Sequence, residues 1–158
     1  FFTFWFKYVF PNRSRLEIGD TAYVTALLKD DLERHVSLAF EDACRDICGR
    51  LMRDGVMSYT RIGRWWSKDA EIDLVAFDED EGTAWFGECK WSRKKVGEDI
   101  YRDLVRKSAL VDWKTGTRED RFILFGRSGF TDGMERIAKE ENCVLVDGGR
   151  VVPNRARP

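Results

Sequence analysis

The chain has one histidine, no Cys-x-x-Cys pair among its four cysteines, and almost no net charge. Each shortage excludes something. Cys44, Cys48, Cys89 and Cys143 are not spaced as zinc-ligand pairs, and one histidine cannot complete a zinc set, so they read as free thiols of a cytosolic protein. A net charge of -1 and a pI near 6.0 leave no global basic field of the kind many DNA-binding domains carry. Nucleic acid is not thereby excluded, because a site built to hold metal needs carboxylates; any basic footprint must be local. The longest apolar stretch, Phe1 to Phe10, is broken by Lys7, lacks a basic leader and is too short to span a bilayer, so no membrane partner is expected. Internal repeats, low-complexity tracts and a Walker A motif are also missing, so no ATPase activity is expected in this segment. The chain does not begin with Met. The expectation is a piece of a longer protein, whose aromatic start packs on the remainder or folds back on the core.

What is present is a globular composition: 158 residues, 43% apolar and 35% charged, with six Trp and eleven Phe. That length fits one domain able to bury roughly two-thirds of its unfolded surface. The pattern divides it into an aromatic N-terminal segment over 1–19, a domain over 20–150 and a basic tail over 151–158.

Leu32, Val36, Ala39, Phe40, Ala43, Ile47 and Leu51 recur at helical spacing and predict a long helix over 31–53, stopped by Asp54-Gly55. Three strands are expected next, Val56–Ile62, Glu71–Phe77 and Thr83–Trp91, the last two joined into a hairpin by the acidic turn ending at Gly82. A second helix is expected over Glu98–Trp113. The apolar run Phe122-Ile-Leu-Phe125 suits a strand over 121–126 buried on both faces. Thr131 can cap a third helix reaching Glu141, and Cys143–Val146 is a last short strand. The fold class is therefore α/β, with a mixed sheet flanked by helices in the order α-β-β-β-α-β-α-β. The hairpin is antiparallel and the late strand-helix-strand unit parallel.

Strand side chains alternate, so Glu88 and Lys90 share a face, and Asp73 on the neighbouring strand can come level with them. On the long helix Glu41 lies at the margin of the apolar stripe, where a carboxylate is costly unless paired, hydrogen-bonded or metal-bound. Three carboxylates at one point repel one another, so removing Asp73 should slightly stabilise the metal-free fold, and an oxygen-preferring cation such as Mg²⁺ or Mn²⁺ would relieve the repulsion. Such a cation promotes phosphodiester hydrolysis, with Lys90 placed to steady developing negative charge. A Glu-x-Lys on a strand is by itself most often a solvated pair; Asp73 across a short turn and the apolar flanks tip the reading toward function.

These residues resemble the PD-(D/E)XK nuclease superfamily, matching Glu41 on the first helix, Glu71-Ile72-Asp73 on the second strand and Glu88-Cys89-Lys90 on the third. Gly129-Phe130-Thr131 is similar to the Mrr-like branch. Phe4-Trp5-Phe6, Pro11-Asn12-Arg13, Ala39-Phe40-Glu41 and Gly63-Arg64-Trp65-Trp66 resemble the nuclease-like C-terminal domain of archaeal AAA-type ATPases, in which a P-loop ATPase and a winged helix come first. The resemblance implies a restriction-endonuclease-like fold. It further implies Asp73, Glu88 and Lys90 as catalytic residues of a metal-dependent endodeoxyribonuclease. Mg²⁺ or Mn²⁺ would be held by Glu41, Asp73, Glu88 and the main-chain carbonyl of Cys89, and an ATPase portion of the same or a partner chain is implied as partner. The usual Pro-Asp pair is replaced here by Ile72-Asp73.

Around this site, Arg61, Arg64 and Lys68 bracket Trp65-Trp66, and Arg93, Lys94 and Lys95 follow Trp91. Both clusters could hold DNA phosphates beside stacking aromatics, or form a solvated rim around core tryptophans. Lys107 on the second helix lies where the superfamily carries an additional polar residue. His35 reads as a surface histidine. The competing function is a non-catalytic DNA- or protein-docking module on the same fold. A third is self-association into a homo-oligomer through the aromatic start.

Overall fold

The computed structural model describes residues 2–153 and divides into two compact units, 1–39 and 40–158. The basic tail expected over 151–158 lies mostly outside the described residues. The described part of unit 1 is helical except for a turn over 18–20. Phe2–Phe4 (α1) leads into a π turn over Trp5–Val9, a 3-10 turn over Phe10–Asn12, α2 (Arg13–Glu17) and the start of α3 (Thr21–Arg53). Pro11-Asn12-Arg13 is thus a helical joint, Pro being tolerated in a first helical turn. Tyr8 is buried and donates its hydroxyl to Asp31 Oδ2 at 2.8 Å. His35 packs edge-on against Phe4 and Tyr8, at ring-centroid distances of 5.9 and 5.8 Å, so it is an aromatic packing partner and not a free surface group. Phe2, Phe6 and Phe10 remain exposed.

Unit 2 is an α/β layer structure around a six-stranded mixed sheet in sequence order. Its strands are β1 (Arg61–Trp66), β2 (Glu71–Asp78), β3 (Thr83–Lys90), β4 (Glu119–Gly126), β5 (Val144–Asp147) and β6 (Arg150–Val151). The β1–β2–β3 meander is antiparallel, β3–β4 and β4–β5 are parallel, and β6 returns antiparallel on β5. The expected element order is present, with β6 added. One sheet face packs on α4 (Glu98–Ser108) and α5 (Asp132–Glu140) through Val75, Phe86, Leu104, Leu124 and Met134. The other packs on the last turns of α3 through Cys44, Cys48, Leu51, Leu74, Trp85 and Phe125. Burial of both faces explains why β4 reads as a continuous apolar run.

The long helix begins at Thr21, ten residues before its expected start, and β1 runs on to Trp66; two further differences have identifiable reasons. Residues 56–60 are not strand. Gly55 adopts φ +71, and the N–H groups of Val56 and Met57 turn back to the carbonyl of Leu51, so these residues close the helix and β1 begins later. The helix expected to reach Trp113 stops at Ser108, because the buried Arg118 guanidinium donates to the carbonyls of Ser108, Val111 and Trp113 and satisfies the helix end from outside. Thr131 caps α5 as its sequence suggests, its hydroxyl accepting the N–H of Met134 at 3.1 Å.

Candidate active site

Alternation along β3 sends Phe86, Glu88 and Lys90 toward the α4 side and Cys89 toward α3. At the end of the strand Lys90 Nζ meets Glu88 Oε1 at 2.6 Å. From α4, Lys107 Nζ stands 3.7 Å from Glu88 Oε2, too far for a hydrogen bond, and 3.0 Å from Asp103 Oδ2. Glu88 is only 7% exposed, and its Oε2 is enclosed with no hydrogen-bond partner among the described residues. Burial pulls the Lys90 pKa down, but its hydrogen bond to Glu88 and the charges of Glu88 and Asp73 outweigh that pull, so Lys90 holds its proton above the ordinary lysine range.

Asp73 arrives by a different device. Opposite β1, Gly63 pairs with Val75 but Trp65 pairs with Ile72, so the single Arg64 of β1 faces both Asp73 and Leu74 of β2. This is a β-bulge, and it breaks the alternation: Ile72 and Val75 lie in the core under α4, while Leu74 lies in the core under α3. The regular β2–β3 ladder starts at Leu74 opposite Gly87, one step inside Asp73. Freed from the ladder, Asp73 turns its carboxylate on β3, where Oδ2 accepts the main-chain N–H of Cys89 at 2.9 Å. Asp73, Glu88, Cys89 and Lys90 therefore gather at one end of the hairpin, with Lys107 behind them.

Glu41 has a partner of its own. It is nearly buried on α3 and ion-pairs with Arg64, which also reaches Glu71 at 3.2 Å. The Glu41 contact is charge against charge without an aligned hydrogen bond. Among the described residues no three His, Cys, Asp or Glu side chains form a metal-holding group. The expected cluster of three mutually repelling carboxylates is thus absent, each acid having found a cation or an N–H. The remaining donor set is still compatible with Mg²⁺ or Mn²⁺, which is commonly bound through one or two carboxylates plus waters. The enclosed Oε2 of Glu88 is a carboxylate oxygen whose hydrogen-bonding capacity the protein leaves unused.

The expected basic clusters differ from each other. Arg61 pairs with Glu79 and lies over Phe77, Arg64 is committed to Glu41 and Glu71, and Lys68 is exposed in the β1–β2 turn. Arg93, Lys94 and Lys95 are exposed on the loop leaving β3. Trp65 packs against the core whereas Trp66 is 71% exposed. The sequence reading missed Asp103 and Arg127. Asp103 is four residues before Lys107, a spacing that signals a helix pair. Arg127 follows Gly126, which pairs with Lys90, so the parallel register sets Arg127 over Trp91 at 4.1 Å.

Residues 5–101 match DUF234, a family described as archaeal and bacterial proteins of unknown function. An uncharacterized protein of Methanocaldococcus jannaschii is 36% identical over 153 residues, which cover 93% of this chain. The chain spans 32% of that relative's length. No solved structure matches.

Proposed function

The chain belongs to the DUF234 family, and from the geometry at the end of its hairpin we propose that it is a metal-dependent endonuclease domain hydrolysing DNA phosphodiesters. The observation that carries the reading is Glu88 Oε2, a buried carboxylate oxygen without a hydrogen bond, beside a bulge-directed Asp73 and a lysine held protonated. Asp73, Glu88 and the Cys89 carbonyl would hold Mg²⁺ or Mn²⁺, which when bound supplies Lewis acidity to water and phosphate. Lys90 is left with a single role, its ammonium donating toward the phosphate oxygen on which negative charge grows. Lys107, anchored by Asp103, sets a positive charge beside Glu88 Oε2. Arg93, Lys94 and Lys95 supply phosphate contacts that position without reading sequence. An ATPase portion of the same or a partner chain, implied by the superfamily resemblance, would present the DNA; the four buried free thiols fit a cytoplasmic setting.

The test is nicking of supercoiled plasmid by the full-length protein with Mg²⁺ or Mn²⁺, wild type beside Lys90→Ala. A single electrostatic donor in such a site is worth about 3–4 kcal/mol, so nicking should fall by roughly 10²–10³-fold while DNA binding persists. Equal nicking by both proteins rejects this site. A second reading, a DNA- or protein-docking module on the same fold, is favoured by one observation: Lys90 and Lys107 already surround Glu88 with positive charge. Absence of nicking by either protein selects it.

A further inference from the structure

A groove of about 700 Å³ lies where the last turns of α3 meet Tyr59, on the sheet face opposite Glu88 and Lys90. Arg45, Arg50 and Arg53 line it, with Asp46 as its one acid, leaving an excess of two positive charges. Arg45 commits Nη1 to Asp42 at 3.1 Å. Arg50, Arg53 and the Tyr59 hydroxyl have no hydrogen bond or ion pair among the described residues, although Asp46 lies one turn before Arg50. Two guanidinium forks and a hydroxyl thus face the same groove uncommitted, a donor set matched to phosphate oxygens.

The floor of the groove is Gly49, in the interior of α3. Glycine is the poorest helix former after proline, so its presence asks for a reason. Its φ is not in the left-handed region, and a Cβ there would meet only Arg53 Nη1 and Tyr59 Oη, both at an ordinary 3.9 Å. Nothing inside the chain requires glycine at this position. What its missing side chain provides is an open floor between Arg53 and Tyr59, where a ligand can approach the helix backbone closely. Arg53 lies eight residues beyond Arg45, about 12 Å along the helix, a spread of charge longer than one phosphate group.

We propose that this groove seats consecutive backbone phosphates of a nucleic acid, as a second contact surface separate from the residues around Glu88. It does not depend on cleavage. The experiment measures binding of a labelled duplex oligonucleotide in EDTA across a salt series, with inorganic pyrophosphate as a parallel small ligand. Arg50→Gln with Arg53→Gln should weaken duplex binding at least tenfold and lower the salt slope by about two, one for each phosphate no longer held. Gly49→Gln, which improves the helix, should weaken binding with the melting temperature unchanged or raised, separating a blocked groove from a damaged fold. Unchanged duplex affinity and slope in these variants overturn the proposal. So does a duplex affinity that holds while a pyrophosphate-induced rise in melting temperature disappears, since the groove then takes a small phosphate compound. A protein that binds through the groove yet never nicks DNA leaves this inference standing and removes only the nuclease reading.

Discussion

The carboxylate of Asp73 accepts the main-chain N–H of Cys89 at 2.9 Å, bridging β2 to β3 one step beyond the end of their ladder, where β2 bulges against β1. A side chain here replaces a strand carbonyl, which gives Asp73 a structural role before any metal is considered. Its removal strands a main-chain donor, and such a donor costs roughly 1–2 kcal/mol when left unpaired. Asp73→Ala should therefore lower the metal-free melting temperature by about 2–8 °C, the opposite sign from the relief of repulsion the sequence alone suggests. Asp73→Asn keeps an acceptor oxygen and should melt near wild type while losing the charge needed for metal. Calorimetry on both variants checks this; a melting temperature raised by Asp73→Ala would restore the crowded-anion picture.

Lys107 offers a way to test whether Glu88 accepts a cation. Its ammonium lies 3.7 Å from the enclosed Oε2 and is itself only 16% exposed. Lys107→Met should destabilise the metal-free protein by about 1–3 kcal/mol, because a buried carboxylate loses a compensating charge. Millimolar Mn²⁺ should then raise the melting temperature of Lys107→Met more than that of wild type, since a ligand that binds only the folded state stabilises it by mass action. Equal shifts in the two proteins would mean that Glu88 is not where the cation binds.

How far the sequence foretold this site depends on which residue is asked about. Glu88 and Lys90 were legible because period-two alternation survives intact along β3. Asp73 was legible as a candidate, but not its hydrogen bond, because a bulge arises from a mismatch between two strands that neither strand's pattern records. Its position on a buried margin shows that Glu41 needs a partner but not which one; the metal comes only from the superfamily resemblance. That partner is Arg64, on a strand whose start the sequence placed too early. The α/β class and the order of elements followed from turn residues and apolar runs. The end of α4 did not, because Arg118, ten residues away, supplies the donors that terminate it.

The four cysteines should be inert in the native protein. Burial pushes the Cys48 thiol up to about 12, helped by the neighbouring Cys44, and burial alone takes Cys143 to about 12. Cys89 is raised too, through its contact with Cys44 and then burial. The thiolate is the reactive form, so a disulfide reagent such as Ellman's should label none of the four at neutral pH and all of them after unfolding. The same shifts set a sign for alkaline stability. Unfolded thiols ionise near 8.5 while Cys48 and Cys143 do not until about 12, so stability is full below about 8.5 and is lost as pH rises through that window. Each such thiol lowers stability by about 1.4 kcal/mol per pH unit there. Rapid labelling of the native protein would contradict the enclosed packing of Cys44, Cys48 and Cys89.

Glu41 and Arg64 decide between a structural pair and a metal ligand. Glu41 is 11% exposed and Arg64 30%, so the pair is partly screened, and breaking it from one side should cost roughly 1–3 kcal/mol, short of the full cost in a closed core. Arg64→Met leaves Glu41 enclosed without its cation and should be the more damaging single change; Glu41→Gln leaves Arg64 able to reach Glu71 at 3.2 Å. The double variant should recover part of the stability that Arg64→Met removes, because it eliminates the orphaned charge. A metal ligand predicts another pattern: Glu41→Gln would abolish the Mn²⁺-induced rise in melting temperature, while Arg64→Met would leave or enhance it. Thermal melts of the three variants with and without Mn²⁺ separate the two. The ion pair seen here predicts strong coupling between the two positions and a Mn²⁺ response that survives Glu41→Gln but vanishes in Glu88→Gln.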